Sequence, residues 1–198
     1  MSGDHHGEAA AISAHVRHVE TLLEQRGLVD PQELDRALTA FLAGSSPASG
    51  ARVVARAWSD EGFRTRLLGD ANTALPELGL SMGGGLQEQR LKVVDNTDSA
   101  HNVVVCTLCS CYPIALLGPS PTWYKSGAYR SRVVRDPRGV LREFGFDLAP
   151  DLDITVWDAS AESRYMVLPR RPGGTEGLDE KQLAALVTRN GLLGVAAV

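Results

Sequence analysis

A β-branched run leads directly into a cluster of cysteines in the stretch Val103-Val104-Val105-Cys106-Thr107-Leu108-Cys109-Ser110-Cys111. The valines favour a buried strand, so the thiols are expected where that strand ends. The chain has three cysteines, and this stretch contains all of them. Sulfurs so close in sequence can surround a single metal ion, and the stretch therefore predicts a metal site.

Other interpretations of the cysteine cluster fit the sequence less well. A redox pair formed by Cys106 and Cys109 would open a helix within a βαβ unit, whereas these residues follow a valine strand and have a third thiol beside them. A structural zinc site needs four ligands, and His101 is the nearest candidate for the fourth. We expect His101 instead to be a hydrogen-bonded residue at a strand edge. Inert buried cysteines are the remaining alternative, and their clustering would be a coincidence.

The single residue between Cys109 and Cys111 restricts the geometry of such a site. With both sulfurs bound, the backbone between them is drawn across the metal, and the amide nitrogens of Ser110 and Cys111 come within coordinating distance. An amide binds only after losing its proton, which requires a strongly polarising ion such as trivalent cobalt or iron rather than zinc. Three sulfurs and two nitrogens would leave one octahedral position open, as metal-ion catalysis of water addition requires.

The composition is that of a globular protein and argues against several classes of partner. Of the 198 residues, 43% are hydrophobic and 22% are charged, which is typical of a soluble domain. A net charge of −4 is too small a bias to indicate a nucleic-acid or membrane partner. The N-terminal residues lack the pattern of a signal peptide, and no apolar run is long enough to span a bilayer. With clustered cysteines, these features predict a reducing, cytoplasmic location.

Two amphipathic helices are expected in the first 46 residues. The first carries an apolar stripe and ends at Gly27, and the second begins after the capping residue Asp30. Such a pair buries its own apolar faces poorly. We therefore expect residues 1–46 to form an arm that packs on a partner chain, with an intramolecular hairpin as the alternative. Residues 47–198 would then form a layered, metal-binding catalytic domain.

The remaining chain combines helical and extended patterns. Helices are expected around residues 53–68, 75–80, 123–135, 137–144 and 178–187, and strands at 91–95, 102–106, 154–157, 164–168 and 192–198. This order predicts an α+β fold, with a helical N-terminal arm followed by a layered α-β-β-α domain that carries the metal-binding loop.

The cysteine stretch resembles the metal-binding signature of the nitrile hydratase α subunit. Threonine at position 107, where serine is the alternative, resembles the cobalt-type branch of that family. The likeness extends outside the motif, at residues 96–97, 101–102, 121–126, 129–135, 142–145, 157–158, 162, 164–169, 171–172 and 174–177. It covers the chain from about residue 9 to its end, and the cysteine motif is highly specific.

This resemblance implies a role for each residue of the motif. Cys106 would be an unmodified axial thiolate, Cys109 a sulfinic acid and Cys111 a sulfenic acid. Ser110 and Cys111 would supply the amide nitrogens. The metal would be one non-corrin, low-spin Co(III) ion per chain, with Fe(III) less favoured. The reaction would be hydration of a nitrile to the amide: the ion would polarise the nitrile or a bound water, and the Cys111 sulfenate would act as nucleophile or base.

The resemblance also implies residues and partners outside the motif. Gln87 matches a glutamine near the substrate channel, although a solvent-facing side chain is an equally good interpretation. Cys111, Ser110 and Gln87 are thus the residues expected to take part in catalysis. Arg164 matches an arginine that is expected to be structural. A separate β subunit, of one chain or two, would provide arginines that compensate the charge of the oxidised sulfurs.

One departure from the family pattern concerns the substrate pocket. Tyr112-Pro113-Ile114-Ala115 stands where the family usually has Tyr-Pro-Trp-Pro. Ile114 in place of tryptophan predicts a wider pocket and a bulkier nitrile, for example a heteroaromatic one, unless another residue fills the space. The metal-bearing subunit of thiocyanate hydrolase carries the same motif and is the alternative enzyme. A metal-delivering chain that is inactive alone is the non-enzyme alternative.

Overall fold

The computed structural model of the protein describes residues 4–83, 89–108 and 111–198, with side chains from residue 10 onward. The chain separates into two compact units, Met1–Phe41 and Leu42–Val198. The domain boundary at residues 46/47 stays a prediction. Within the described ranges, no helix combines the length and the apolar composition that crossing a membrane requires.

The first unit contains helix α1 (Asp4–Gln25) and most of helix α2 (Pro31–Gly44). Gly27 follows α1 with a φ of 64°, the left-handed conformation that commonly ends helices. Asp30 caps α2, because its Oδ1 accepts a hydrogen bond from the backbone N–H of Gln32 at 2.8 Å. Both predicted helices are confirmed. Their apolar stripes remain exposed at Ile12, Val16, Val19, Leu34, Leu38 and Leu42.

The second unit contains the other helices of the described chain. They are α3 (Pro47–Ser59), α4 (Glu61–Gly69), α5 (Ala71–Ala74), a 3₁₀ helix (Leu75–Leu78), α6 (Ile114–Leu117), α7 (Thr122–Lys125), α8 (Gly127–Val133), α9 (Pro137–Glu143), α10 (Glu180–Leu186) and α11 (Arg189–Leu192). Short polar side chains cap many of them, as the sequence indicates. Asp179 and Gln182 form the predicted capping box of α10.

In the part of the chain that the structure describes, four strands form two small parallel sheets. Strand β1 (Arg90–Asp95) pairs with β4 (Ser163–Leu168), and β2 (Ala100–Val105) pairs with β3 (Asp153–Asp158). In the second pair, Val105 lies opposite Asp158. Because the pairing is parallel, the carboxyl ends of β2 and β3 meet at one edge. The mixture of helices and strands confirms the predicted α+β class.

The predicted strand at residues 192–198 is wrong. Thr188 caps the short helix α11, and Gly194 then takes a φ of 76°. The backbone turns back on itself, with the N–H groups of Leu193 and Val195 bonded to the carbonyl of Asn190. Leu192, Leu193 and Val195 are fully buried. A short buried apolar run is compatible with either a strand or a helical turn, so the pattern alone was ambiguous.

Candidate metal centre

Cys106 is fully buried immediately after the last residue of β2. The strand before it is fixed from several sides. The N–H of Val104 donates to the carbonyl of Leu193 at 3.0 Å, and the N–H of Ala159 donates to the carbonyl of Val105 at 2.7 Å. The hydroxyl of Tyr129 donates to the carbonyl of Val104 at 2.7 Å. The prediction that a buried strand leads into the cysteines is confirmed.

The next residue, Thr107, is held by the end of the neighbouring strand. Its backbone N–H donates to one carboxylate oxygen of Asp158 at 2.9 Å, and its hydroxyl donates to the other at 2.5 Å. Asp158 is in position because β3 ends beside β2. Leu108 then projects into solvent with 92% of its surface exposed. The start of the cysteine segment (residues 106–111) is therefore anchored, while the apolar side chain of Leu108 is exposed to solvent.

The far end of the segment is anchored by a tyrosine. Cys111 is half-buried, and its carbonyl accepts a hydrogen bond from the hydroxyl of Tyr124 at 2.9 Å. Burial raises the pKa of Tyr124, and its neighbours Tyr129, Cys106, Tyr112 and Cys111 raise it further. Tyr124 is thus a neutral phenol at physiological pH. Cys106 and Tyr124 belong to the hydrophobic core, and Cys111 packs against that core, so both ends of the segment contact the same cluster.

Tyr124, whose hydroxyl contacts the Cys111 carbonyl, belongs to a cluster of packed aromatic rings. The rings of Tyr112 and Tyr124 meet edge to face with centroids 5.2 Å apart. Trp123 packs in the same manner against Tyr129 at 4.9 Å and against Phe144 at 4.8 Å. Burial raises the pKa of Tyr112 and of Tyr129, so both stay protonated. Offset and edge-to-face pairs of this kind hold rings in defined positions.

The remaining predicted site residues, Gln87, Cys109 and Ser110, lie outside the described residues. Within 10–83, 89–108 and 111–198, the His, Cys, Asp and Glu side chains form no group of three or more that could hold a metal ion. The described part of the predicted donor set is the thiol pair Cys106 and Cys111. Two sulfur donors fit a transition metal that prefers soft ligands.

His101 has a structural role. It is buried, its Nε2 lies 2.7 Å from the carbonyl oxygen of Gly194, and its Nδ1 lies 3.1 Å from Nδ2 of Asn96. Burial lowers the pKa of His101, and the contact with Gly194 offsets this in part. With both ring nitrogens engaged, His101 is not placed to be a fourth zinc ligand.

Arg164 is also buried, and it binds the connection between β3 and β4. Its Nη1 donates to the carbonyls of Ser160 and Ala161. These contacts order the chain shortly after Asp158, which agrees with the structural role expected for this arginine.

Sequence reasoning assigned no role to Asp158 or Tyr124, the residues that anchor the cysteine segment. Asp158 could have been found from the pairing of its strand with β2, because the carboxyl ends of parallel strands share an edge. That pairing joins segments about fifty residues apart and has no local signal. Nothing in the sequence pattern points to the Tyr124 contact.

Comparison with known proteins places this fold in a defined group. The family model described as nitrile hydratase, alpha chain, matches residues 10–196. The low-molecular weight cobalt-containing nitrile hydratase subunit alpha of Rhodococcus rhodochrous is 51% identical over 185 residues, covering 93% of this chain and 88% of the relative.

Two solved structures extend the comparison to the fold. A double mutant of the Fe-type nitrile hydratase from Comamonas testosteroni Ni1 superimposes with a TM-score of 0.87 at 41% identity, covering 95% of this chain and 90% of that one. A recombinant thiocyanate hydrolase with partially modified cobalt centres gives a TM-score of 0.86 at 37% identity, covering 93% and 88%.

Fold and sequence together define an α+β enzyme subunit with clustered cysteines. The chain belongs to the nitrile hydratase α-chain family.

Proposed function

We propose that the chain is the metal-bearing α subunit of a cobalt nitrile hydratase, which converts a nitrile to the corresponding amide. The observation that carries the proposal is the position of the two described thiols. Cys106 is buried at the end of β2, in the core cluster that contains Tyr124, and Cys111 accepts a hydrogen bond from the Tyr124 hydroxyl. Family membership and the name of the cobalt-containing Rhodococcus relative support the choice of activity and metal. Iron is the less favoured metal. An Fe-type structure also matches, but its identity of 41% is lower than the 51% of the cobalt-containing relative.

The ligands proposed for the Co(III) ion are Cys106, Cys109, Cys111 and the amide nitrogens of Ser110 and Cys111. Bound there, the ion would supply Lewis acidity toward the nitrile or toward water. Cys111, as a sulfenate, would provide an oxygen that acts as nucleophile or base while water adds across the carbon–nitrogen triple bond. Gln87 would contribute a polar side chain at the substrate channel.

A β subunit, of one chain or two, is the proposed partner. Side chains on the arm helices support this, because Ile12, Val16 and Val19 are each more than two-fifths exposed. Leu108 is almost fully exposed at the cysteine segment itself. Apolar surface of this kind is typical of an interaction site. We expect the assembly to act in the cytoplasm, where thiols such as Cys106 and Cys111 are kept reduced before metal binding.

The substrate proposed is a bulky nitrile, for example a heteroaromatic one. Ile114 is half-buried at the start of α6, three residues after Cys111. An isoleucine occupies less space there than the tryptophan usual in the family. If no other side chain fills that space, the pocket accepts a fused-ring nitrile.

The activity is tested with the full-length chain loaded with cobalt and assayed with its β partner. We expect amide to form from a nitrile, and we expect Cys111→Ser to abolish turnover. Ser131→Ala, at an exposed position on α8, is the control and should leave turnover unchanged. A cobalt-loaded assembly that forms no amide from small or fused-ring nitriles would contradict the proposal.

Thiocyanate hydrolysis is the second candidate, favoured by the structural match to thiocyanate hydrolase. Parallel assays with thiocyanate and with an organic nitrile separate the two enzymes. A metal-delivering chain is separated from both by a different comparison: it would release cobalt to an acceptor protein and would show no turnover in any assembly.

A further inference from the structure

The cysteine segment is held at its start by a residue 51 positions away and at its far end by a residue 13 positions away. At the start, the carboxylate of Asp158 accepts both hydrogen bonds that Thr107 donates. At the far end, the hydroxyl of Tyr124 donates to the carbonyl of Cys111 at 2.9 Å. The first contact is made by a strand end, and the second by helix α7.

The hydroxyl of Tyr124 has little freedom to move. The side chain is fully buried, and its ring contacts Tyr112, Trp123 and Tyr129 with centroid distances of 5.2, 5.9 and 6.0 Å. A ring packed on several sides fixes the position of its own hydroxyl. The hydrogen bond therefore fixes the Cys111 carbonyl in turn.

We propose that Tyr124 is a positioning residue for Cys111, holding the backbone at this cysteine in the orientation that directs its sulfur toward the metal. The assignment rests on the proposed role of Cys111 as a ligand and as the source of the reacting oxygen. A partly buried carbonyl that lost this donor would shift to find another partner. The sulfur would then move with the backbone.

The effect of Tyr124 is positional rather than electronic. The carbonyl that it contacts belongs to the peptide between Cys111 and Tyr112. The nearer of the two amide nitrogens proposed as ligands, that of Cys111, belongs to the preceding peptide, between Ser110 and Cys111. The hydrogen bond therefore leaves the acidity of that amide largely unaffected and acts through the backbone angles of Cys111.

Tyr124→Phe removes the hydroxyl and keeps the ring. Tyr129→Phe is a matched control, because Tyr129 is a buried member of the same ring cluster and donates to a backbone carbonyl at 2.7 Å, that of Val104 within β2. Each variant loses one hydrogen bond from a tyrosine hydroxyl to a backbone carbonyl. In Tyr124→Phe the lost bond is the one to Cys111, and in Tyr129→Phe it is the one to Val104.

The first measurement is the rate at which iodoacetamide alkylates Cys111 in the metal-free full-length chain, followed by peptide mass spectrometry. We expect Tyr124→Phe to accelerate alkylation about fivefold, the factor that corresponds to the net contribution of one neutral hydrogen bond. Tyr129→Phe should leave the rate unchanged although its thermal stability falls to a similar extent. 4-Aminophenylalanine at position 124, which restores a donor, should return the rate toward wild type.

The second measurement is the sulfur-to-cobalt absorption of the loaded chain together with kcat and KM. We expect Tyr124→Phe to change the absorption and to lower kcat with little change in KM, and Ser131→Ala, at its exposed position on α8, to change neither. Equal Cys111 reactivity in Tyr124→Phe and Tyr129→Phe, or a Tyr124→Phe spectrum identical to that of the wild type, would overturn the inference. Failure of the wild-type chain to take up cobalt would instead overturn the proposed function, and the alkylation rates would still decide whether Tyr124 anchors Cys111.

Discussion

Asp158 and Thr107 are joined by two hydrogen bonds, from the backbone N–H and from the hydroxyl of Thr107 to the two carboxylate oxygens. This contact connects the end of β3 to the first residue after Cys106. Val105 lies opposite Asp158 in the parallel pairing of β2 with β3. The contact therefore fixes the position of the chain where the cysteine segment begins.

Replacing Asp158 by asparagine tests the importance of this anchor. The amide keeps one acceptor oxygen and replaces the other by a donor, which opposes the Thr107 hydroxyl. We expect cobalt affinity or turnover to fall by about 10–100-fold, the range found when residues that orient metal ligands are changed. Metal titration and kcat/KM measure the effect. Asp153→Asn, at the exposed start of the same strand, is the control; an equal loss in both variants would contradict the interpretation.

Gly194 allows the C-terminal turn to approach β2. It has a φ of 76°, and a Cβ atom there would lie 1.8 Å from the carbonyl oxygen of Asn102. We expect Gly194→Ala to lower the free energy of unfolding by about 3 kcal/mol or more, from the unfavourable backbone conformation and the clash together. Chemical denaturation measures the loss.

Gly145 provides a control with the same backbone conformation and no clash. Its φ is also 76°, and nothing lies within 4 Å of an added Cβ. Gly145→Ala should cost about 1 kcal/mol, the backbone contribution alone. Equal losses at Gly194 and Gly145 would show that the close approach to Asn102 is not important for stability.

His101 should make the stability of the protein depend on pH. The side-chain oxygen of Asn96 accepts hydrogen bonds from Asn102, so its Nδ2 donates to Nδ1 of His101. The ring is then neutral, with its Nε2–H donating to the carbonyl of Gly194. Protonation would place a second donor against Asn96.

Burial lowers the pKa of His101 in the folded chain below the ordinary value of 6.5. The unfolded chain therefore binds a proton at higher pH than the folded chain does, and stability is lost as the pH falls from about 6.5 toward the lowered folded pKa. Urea unfolding at several values between about pH 8 and pH 5 follows this loss. In His101→Gln the loss over this interval should be smaller; an unchanged profile would contradict the assignment.

Ile114→Trp tests the proposed pocket width. A tryptophan at this half-buried position adds bulk near Cys111, so kcat/KM for a fused-ring nitrile should fall relative to that for acrylonitrile. Val134→Trp, at an exposed position after α8, should leave the ratio unchanged. A wild-type enzyme that already strongly prefers acrylonitrile would refute the bulky-substrate proposal.

Local features of the fold could be predicted from the sequence, and long-range ones could not. The caps Asp30 and Asp179 and the valine strand before Cys106 depend on neighbours a few residues away, and all three are present. The pairing of β2 with β3, and the approach of Gly194 to Asn102, depend on segments far apart in the chain. Two consequences therefore could not be predicted from the sequence. They are the contact of Asp158 with Thr107 and the helical turn that stands where a last strand was expected.

The central claim is that the cysteine segment holds a trivalent cobalt ion, and metal analysis combined with peptide mass spectrometry of the full-length chain tests it most directly. We expect one cobalt per chain, added oxygen on Cys109 and Cys111, and none on Cys106. A chain from an active preparation that contains zinc, or disulfides among these cysteines, or no added oxygen on either residue, would contradict the claim.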